Sequence, residues 1–147
     1  MIIYIDQSGK VEYTSKHTVI AYSNGKKSAL IIKAKDKRAI QKVFRQVGKG
    51  RTFVFWLFST LIFLLVRDLE FKEIVIDTEY PGKSDIIKNY LLEHFRRCGK
   101  KVLPSEISFQ EIGKKCEAHW HGYYVFTGKR KAEKVIVLRE ILQEMTK

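Results

Sequence analysis

The first third of the chain consists of short apolar runs separated by polar turns, a pattern that predicts β-strands. The runs cover residues 2–5, 18–22 and 29–32, and the second is rich in β-branched side chains. Asn24-Gly25, between the second and third runs, is a strong signal for a two-residue hairpin turn. We therefore expect three antiparallel strands in this part of the chain.

Helical periodicity begins after the third run. Apolar residues recur at helical spacing between Ala39 and Val47, Asp36 is a suitable N-cap, and Gly48 predicts the end of the helix. A second helix is predicted over residues 52–68 and is apolar on every side, which is typical of a buried core helix. Its uncharged part is shorter than the roughly 20 residues of a membrane span, so a buried helix is favoured over a segment that dips into a membrane.

Strands and helices alternate in the second half of the chain. The predicted elements are a strand at 71–77, a helix capped by Ser84, a strand at 106–113, a strand or loop at 116–126 and a helix near 130–146. A helical crossover should place the strand at 71–77 parallel to the first strand of the same sheet. The chain is thus predicted to form one domain, residues 1–147, of the α/β class, with a mixed five-stranded sheet flanked by helices.

Charge adds a predicted partner to this fold. Lys and Arg number 28 against 16 Asp and Glu, which gives a formal net charge of +12 and a pI near 9.7. This excess favours a polyanion, either nucleic acid or an anionic membrane surface, over a merely solvated surface. We expect DNA or RNA as the partner and no stable membrane insertion. The predicted nucleic-acid contacts lie on the first predicted helix and at later turns and helix ends, and are Lys37, Arg38, Lys42, Arg45, Lys114, Lys115, Lys129, Arg130 and Lys131.

Aromatic residues interleave with this charge towards the C-terminus. They are Trp120, Tyr123, Tyr124 and Phe126. Exposed rings could stack on unpaired bases, whereas alternating rings normally face a core. We expect about half of them to be packed inside.

Cysteine and histidine limit the candidate chemistry. Cys98 and Cys116 form no CxxC pair or Cys/His tetrad, so a zinc finger is not expected. With no basic export signal at the N-terminus, we expect reduced thiols in a cytoplasmic protein, with a single disulfide as the alternative. His119 and His121 would face the same side of an extended segment, where such a pair could bind metal or move protons.

Three carboxylates stand at the ends of predicted strands. Asp6 ends the first strand, Asp77 ends the strand expected beside it, and Glu79 follows two residues later. Adjacent parallel strands would bring these groups to one edge of the sheet, where a divalent cation could bridge them. Two such cations could activate water and stabilise the leaving oxygen in phosphodiester cleavage. The alternative is that they are turn or capping residues.

This pattern resembles the ribonuclease H-like superfamily, which includes Holliday-junction resolvases and transposase cores. The resemblance lies in IYIDQSG at residues 3–9, the hairpin at Asn24-Gly25, and IVIDTE at 74–79 before a helix. It implies a nuclease that uses Mg²⁺ or Mn²⁺ to hydrolyse phosphodiester bonds of DNA or RNA. Two departures from the pattern are the lack of glutamate between Thr52 and Arg67 and the lack of aspartate in the last helix.

The resemblance also implies a set of site residues. Asp6 and Asp77 match its acids in the first and fourth strands, with Glu79 as a neighbouring candidate. His119 or His121 would occupy its histidine-bearing loop, and Glu133, with Glu117 behind it, matches its acid near the last helix. The predicted metal ligands are Asp6, Asp77, Glu79 and Glu133, and the catalytic candidates are these four and His121.

Two other functions fit the same residues. A non-catalytic nucleic-acid-binding protein with a degenerate ribonuclease H-like fold would use the basic surface without the acids. A protein–protein or membrane-associated module would use the apolar run at 53–66. A homodimer is one option for the oligomeric state.

Overall fold

The computed structural model describes residues 1–146 and contains six strands, five α-helices and one short 3₁₀ turn at Pro104–Glu106. The strands are β1 (Ile2–Ser8), β2 (Thr18–Ser23), β3 (Lys27–Ile32), β4 (Glu73–Asp77), β5 (Ile107–Gln110) and β6 (Lys134–Ile136). The helices are α1 (Ala34–Gln46), α2 (Phe53–Val66), α3 (Ser84–Arg97), α4 (Glu117–Phe126) and α5 (Leu138–Thr146).

All six strands belong to one mixed sheet in the order β5-β4-β1-β2-β3-β6. Strands β1, β2 and β3 are antiparallel, as predicted. The turn between the last two contains Asn24-Gly25 but has three residues, 24–26, rather than the predicted two, because Ser23 pairs with Lys27. Strand β4 lies parallel to β1 with Ile76 opposite Ile5, which confirms the predicted crossover. The α/β class and the mixed sheet are therefore confirmed.

The predicted count of five strands is wrong because β6 adds a sixth. It pairs in parallel with β3, placing Ile136 beside Ile32. The sequence pattern predicts a helix for these residues, but the last helix begins only at Leu138. The pairing supplies backbone hydrogen bonds to the open edge of β3 and buries Ile136 completely.

One face of the sheet is covered by α1, α2, α3 and α5. Alternate strand residues such as Ile3, Ile5 and Leu30 point to this side and pack with Leu57 and Leu61 of α2 in the main core. The apolar helix predicted for the middle of the chain is confirmed as a buried core element, although a few of its side chains are only partly buried. Within residues 1–146, no helix has both the length and the apolar character needed to cross a bilayer.

The other face of the sheet carries α4, where the sequence pattern predicts a strand or loop. Ala118, Gly122 and Val125 recur at helical spacing and are buried against the sheet. A Cβ atom placed on Gly122 would lie 3.3 Å from Cβ of Ala21, so the helix and the sheet approach closely at small residues. The alternating rings and histidines imitate a strand pattern, but the small residues determine the packing.

The helix starts and the cysteines also differ from expectation. Lys33 and Lys83 occupy the N-cap positions of α1 and α3, so the predicted caps Asp36 and Ser84 lie inside the first turns. Cys98 and Cys116 are both free, which excludes the disulfide alternative in this structure.

Candidate metal centre

Three carboxylates meet where the pairing of β1 with β4 ends. Asp6 lies inside β1, which continues to Ser8, so the prediction that it ends the first strand is wrong. Asp6, Asp77 and Glu79 each offer an oxygen atom, and these atoms all lie within 4.8 Å of one another. The parallel register of β1 and β4 accounts for the meeting, because both aspartates directly follow the paired residues Ile5 and Ile76. Asp6 is buried, whereas Asp77 and Glu79 are half-buried, so the cluster is reachable from solvent on one side.

Backbone hydrogen bonds orient the two aspartates. The backbone N–H of Gln7 donates to Oδ1 of Asp6 at 2.8 Å, and that of Ile112 donates to Oδ1 of Asp77 at 2.9 Å. One oxygen of each carboxylate is thereby held by a backbone donor. The cluster is pre-arranged by the strands and by the loop after β5.

Burial, together with the closeness of the three acids, changes the protonation of this cluster. Burial, followed by hydrogen bonding to Asp77 and by the charge of Asp6, raises the pKa of Glu79 to about 9. Burial also raises the pKa of Asp6, with the charge of Asp77 acting in the same direction. Without a cation the cluster therefore retains a proton on Glu79 at neutral pH.

The donor set suits a hard divalent cation. All three side chains offer carboxylate oxygens, which Mg²⁺ and Mn²⁺ prefer, and no thiolate takes part. A cation there would offset both the burial and the mutual repulsion that raise the two pKa values. Among the described residues, this is the one group of acids, histidines or cysteines whose geometry could hold an ion.

His119, rather than His121, reaches the carboxylate cluster. Its Nδ1–H donates to Oδ2 of Asp6 at 3.0 Å, and the ring is partly exposed. The expected shared face of the two histidines is wrong because residues two apart on a helix point about 200° apart. The sequence offers His119 and His121 as candidates for this position, and only the helical period of α4 distinguishes between them.

His121 and Glu133 form a separate pair away from the cluster. His121 is buried, and its Nε2–H donates to Oε1 of Glu133 at 2.7 Å while its Nδ1 accepts from Arg130. Glu133 also accepts the backbone N–H of Ala29 at 2.8 Å. Burial would raise the pKa of Glu133, but these hydrogen bonds outweigh it and lower the pKa.

The structure therefore does not bring Glu133 and His121 to the predicted metal site. Their contacts link α4 to β3, which is a structural role at the opposite side of the helix from His119. Glu117, the reserve candidate, lies in the first turn of α4 and lines a cavity of about 350 Å³ with Tyr4 and Cys116. It is not among the three grouped carboxylates.

Lys37 is the one predicted nucleic-acid contact that lies inside the protein. Its side chain is completely buried, and its ammonium donates to Thr18 Oγ1 and to the backbone carbonyls of Lys10 and Tyr13. Burial lowers its pKa to about 8. Lys37 ties the β1–β2 loop to α1, so the prediction that it contacts phosphate is wrong for this structure.

The other predicted basic contacts are exposed and form two groups on opposite sides of the sheet. One group lies on α1 and comprises Arg38, Lys42 and Arg45. The second group flanks α4 and comprises Lys114, Lys115, Lys129, Arg130 and Lys131. We call the second set the α4 basic group. It shares the sheet face of the carboxylate cluster.

Comparison of this chain with protein-family models, with curated proteins and with solved structures found no significant match. The chemistry of the site therefore has to be argued from its geometry.

Proposed function

We propose that the protein is a divalent-metal-dependent nuclease that hydrolyses phosphodiester bonds of DNA or RNA, built on a diverged ribonuclease H-like fold. The observation that carries the proposal is the convergence of Asp6, Asp77 and Glu79 within 4.8 Å in a chain of net charge +12. A protein that only attracts phosphates has no use for clustered carboxylates, because they repel the same ligand.

The topology supports the fold part of the proposal. Three antiparallel strands are followed by β4 and β5, which extend the sheet in parallel beyond β1. The first strand bears Asp6 and the fourth strand ends at Asp77, which is the arrangement that the resemblance implies. Strand β6 is an addition at the far edge, beside β3.

Each group at the site has a physical role in this proposal. Bound Mg²⁺ or Mn²⁺ would supply Lewis acidity for an attacking water and for the leaving oxygen. Asp6, Asp77 and Glu79 would hold the cation, and Glu79 would lose its proton as the cation binds. His119 would keep Asp6 in position through the 3.0 Å hydrogen bond, and the α4 basic group would hold phosphates beside the cluster.

Cleavage of labelled DNA, RNA and hybrid substrates with Mn²⁺ or Mg²⁺ tests the proposal. We expect cleavage that EDTA abolishes and that falls at least about a hundredfold in Asp6→Asn and in Asp77→Asn, since each removes a ligand charge. Asp68→Asn is the matched control, because Asp68 is an exposed acid outside the cluster. Cleavage that survives Asp6→Asn would contradict the assignment.

The second candidate function is nucleic-acid binding without catalysis. Two observations favour it. Only three carboxylates group together among residues 1–146, without the fourth predicted ligand, and α2 has no glutamate. In that case both aspartate variants would retain salt-sensitive binding, and no substrate would be cut under any metal condition. Calorimetric titration with Mn²⁺ separates the two functions further, since this alternative requires no cation.

A further inference from the structure

Helix α4 presents a patch of aromatic rings to solvent. Trp120 and Tyr123 are 40% and 44% exposed, and Tyr124 beside them is half-buried. The three rings form one group, with centroid separations of 5.9 Å from Trp120 to Tyr124 and 6.2 Å from Trp120 to Tyr123. Contiguous large rings left uncovered on a surface usually mark a binding site. We call these three residues the α4 aromatic patch.

Positive charge surrounds this patch. The guanidinium of Arg130 lies 4.8 Å from the ring centroid of Tyr124, and the ammonium of Lys129 lies 5.7 Å from it. Lys114 and Lys115 are exposed at the other end of the helix. This charge favours a partner that is both aromatic and anionic over an apolar protein surface, even though Glu117 is exposed nearby.

The patch begins at the carboxylate cluster. His119, which donates to Asp6, lies edge-on against Trp120 with ring centroids 5.0 Å apart. Tyr123 is one helical turn after His119, so the two side chains share a helix face. The indole N–H of Trp120 donates to the backbone carbonyl of Lys114, which holds the ring in place before any ligand arrives.

We infer that the α4 aromatic patch stacks the unpaired bases of a single-stranded nucleic-acid segment whose phosphates contact the α4 basic group. Bases in a duplex are stacked on one another and leave no faces for the rings, whereas unpaired bases stack on aromatic side chains irrespective of sequence. The inference rests on the proposed function for the class of polymer, and it names the form of substrate that the site receives. It requires no cleavage.

Fluorescence anisotropy in EDTA tests the inference with the wild-type chain, labelled oligo-dT and oligo-rU of about 12 nucleotides, and a duplex of equal length. We expect Trp120→Ala and Tyr123→Ala each to weaken binding of the single strands about tenfold. Duplex binding should change less than twofold, and the salt dependence of single-strand binding should stay the same. Trp120→Phe should restore most of the affinity, because it retains an aromatic face. The two oligonucleotides show whether DNA or RNA is held more tightly.

Matched variants separate stacking from charge and from folding. Lys129→Ala should weaken single strand and duplex alike and should lower the slope of log affinity against log salt by about 0.7–0.9. Tyr13→Ala removes an exposed ring from the β1–β2 loop and should change nothing. Thermal unfolding checks that each variant is folded.

The inference is overturned if Trp120→Ala and Tyr123→Ala leave single-strand affinity unchanged, or if they weaken duplex binding equally. Single-strand binding that depends on the rings, in a protein that cuts nothing with Mn²⁺, would refute the nuclease and support the stacking site. Cleavage that is unchanged in Trp120→Ala and Tyr123→Ala would support the nuclease and refute the stacking site.

Discussion

The two faces of the sheet differ in how completely they are covered. Four helices bury one face, and α2 places side chains such as Leu57, Leu61 and Ile62 in its core with no exposure. The opposite face has α4 alone, over a small cluster formed by Val19, Ala21, Ala29 and Val125. The first face supplies most of the buried apolar surface and hence most of the stability.

The groups that lower the stability of the folded state lie on the face that α4 alone covers. Burial there disfavours the charged forms of Asp6 and Glu79, and Trp120 and Tyr123 expose ring surface to water. The free energy gained on the opposite face offsets these costs. Such a division is typical of proteins in which a site is less stable than the scaffold that holds it.

The largest expected effect tests the difference between the two cores. Leu61→Ala should lower the free energy of unfolding by about 2–5 kcal/mol, because Leu61 is fully buried among well-packed neighbours. Val125→Ala, in the cluster under α4, should lower the free energy of unfolding by about 1.5 kcal/mol, because the change removes two methyl groups from a smaller core. Urea unfolding measures both, and equal losses would contradict the proposed division.

Lys37 gives the next largest effect. Lys37→Ala should lower the free energy of unfolding by about 1–3 kcal/mol, because it leaves Thr18 Oγ1 and two backbone carbonyls without their donor. Oligonucleotide affinity should not change. Lys129→Ala is the matched control, in which oligonucleotide affinity should fall and stability should not change. Reduced affinity in folded Lys37→Ala would show that Lys37 belongs to the nucleic-acid surface after all.

The carboxylate cluster predicts a pH dependence of a smaller size. Because the folded state raises the pKa of Glu79 from 4.5 to about 9, this group's contribution to stability is present in full below pH about 4.5 and is lost as the pH rises towards 9. In EDTA, the wild type should therefore lose about 1–2 kcal/mol relative to Glu79→Gln between pH 5.5 and 8.5. This is less than the full linkage value of about 1.4 kcal/mol per pH unit, because Glu79 is only half-buried and solvent screens its charge.

Urea unfolding of the two chains across this pH range makes the measurement, with exposed Glu70→Gln as the control. At high pH, Mn²⁺ should restore the stability that the wild type has lost, since the cation takes the place of the proton. It should not stabilise Glu79→Gln, which lacks this ligand. Parallel pH profiles for the wild type and Glu79→Gln would show that the crowding does not affect stability.

The smallest effect is expected at Glu133. Glu133→Gln keeps an oxygen that can accept from Ala29 and His121, so the free energy of unfolding should fall by less than about 1 kcal/mol. Calorimetric Mn²⁺ affinity should match the wild type, whereas Glu79→Gln should lose most of it. A shared loss of metal affinity would place Glu133 at the cation after all.

The elements that could be predicted from the sequence are those governed by local pattern. The hairpin at Asn24-Gly25, the buried helix α2 and the parallel placement of β4 follow from turn chemistry, periodicity and crossover geometry. The meeting of Asp6 with Asp77 follows from the parallel pairing, which places each aspartate directly after one of the paired residues Ile5 and Ile76, although β1 continues past Asp6. The net charge of +12 follows from the composition alone.

What the tertiary structure alone decided depends on which surfaces pack together. Gly122 allows α4 to lie against Ala21, and the helical period then turns His119 towards Asp6 and His121 towards Glu133. Lys37 has the same charge as its exposed neighbours, yet the β1–β2 loop closes over it. Burial of a polar group is set by partners distant in sequence, so no local pattern could have assigned these roles.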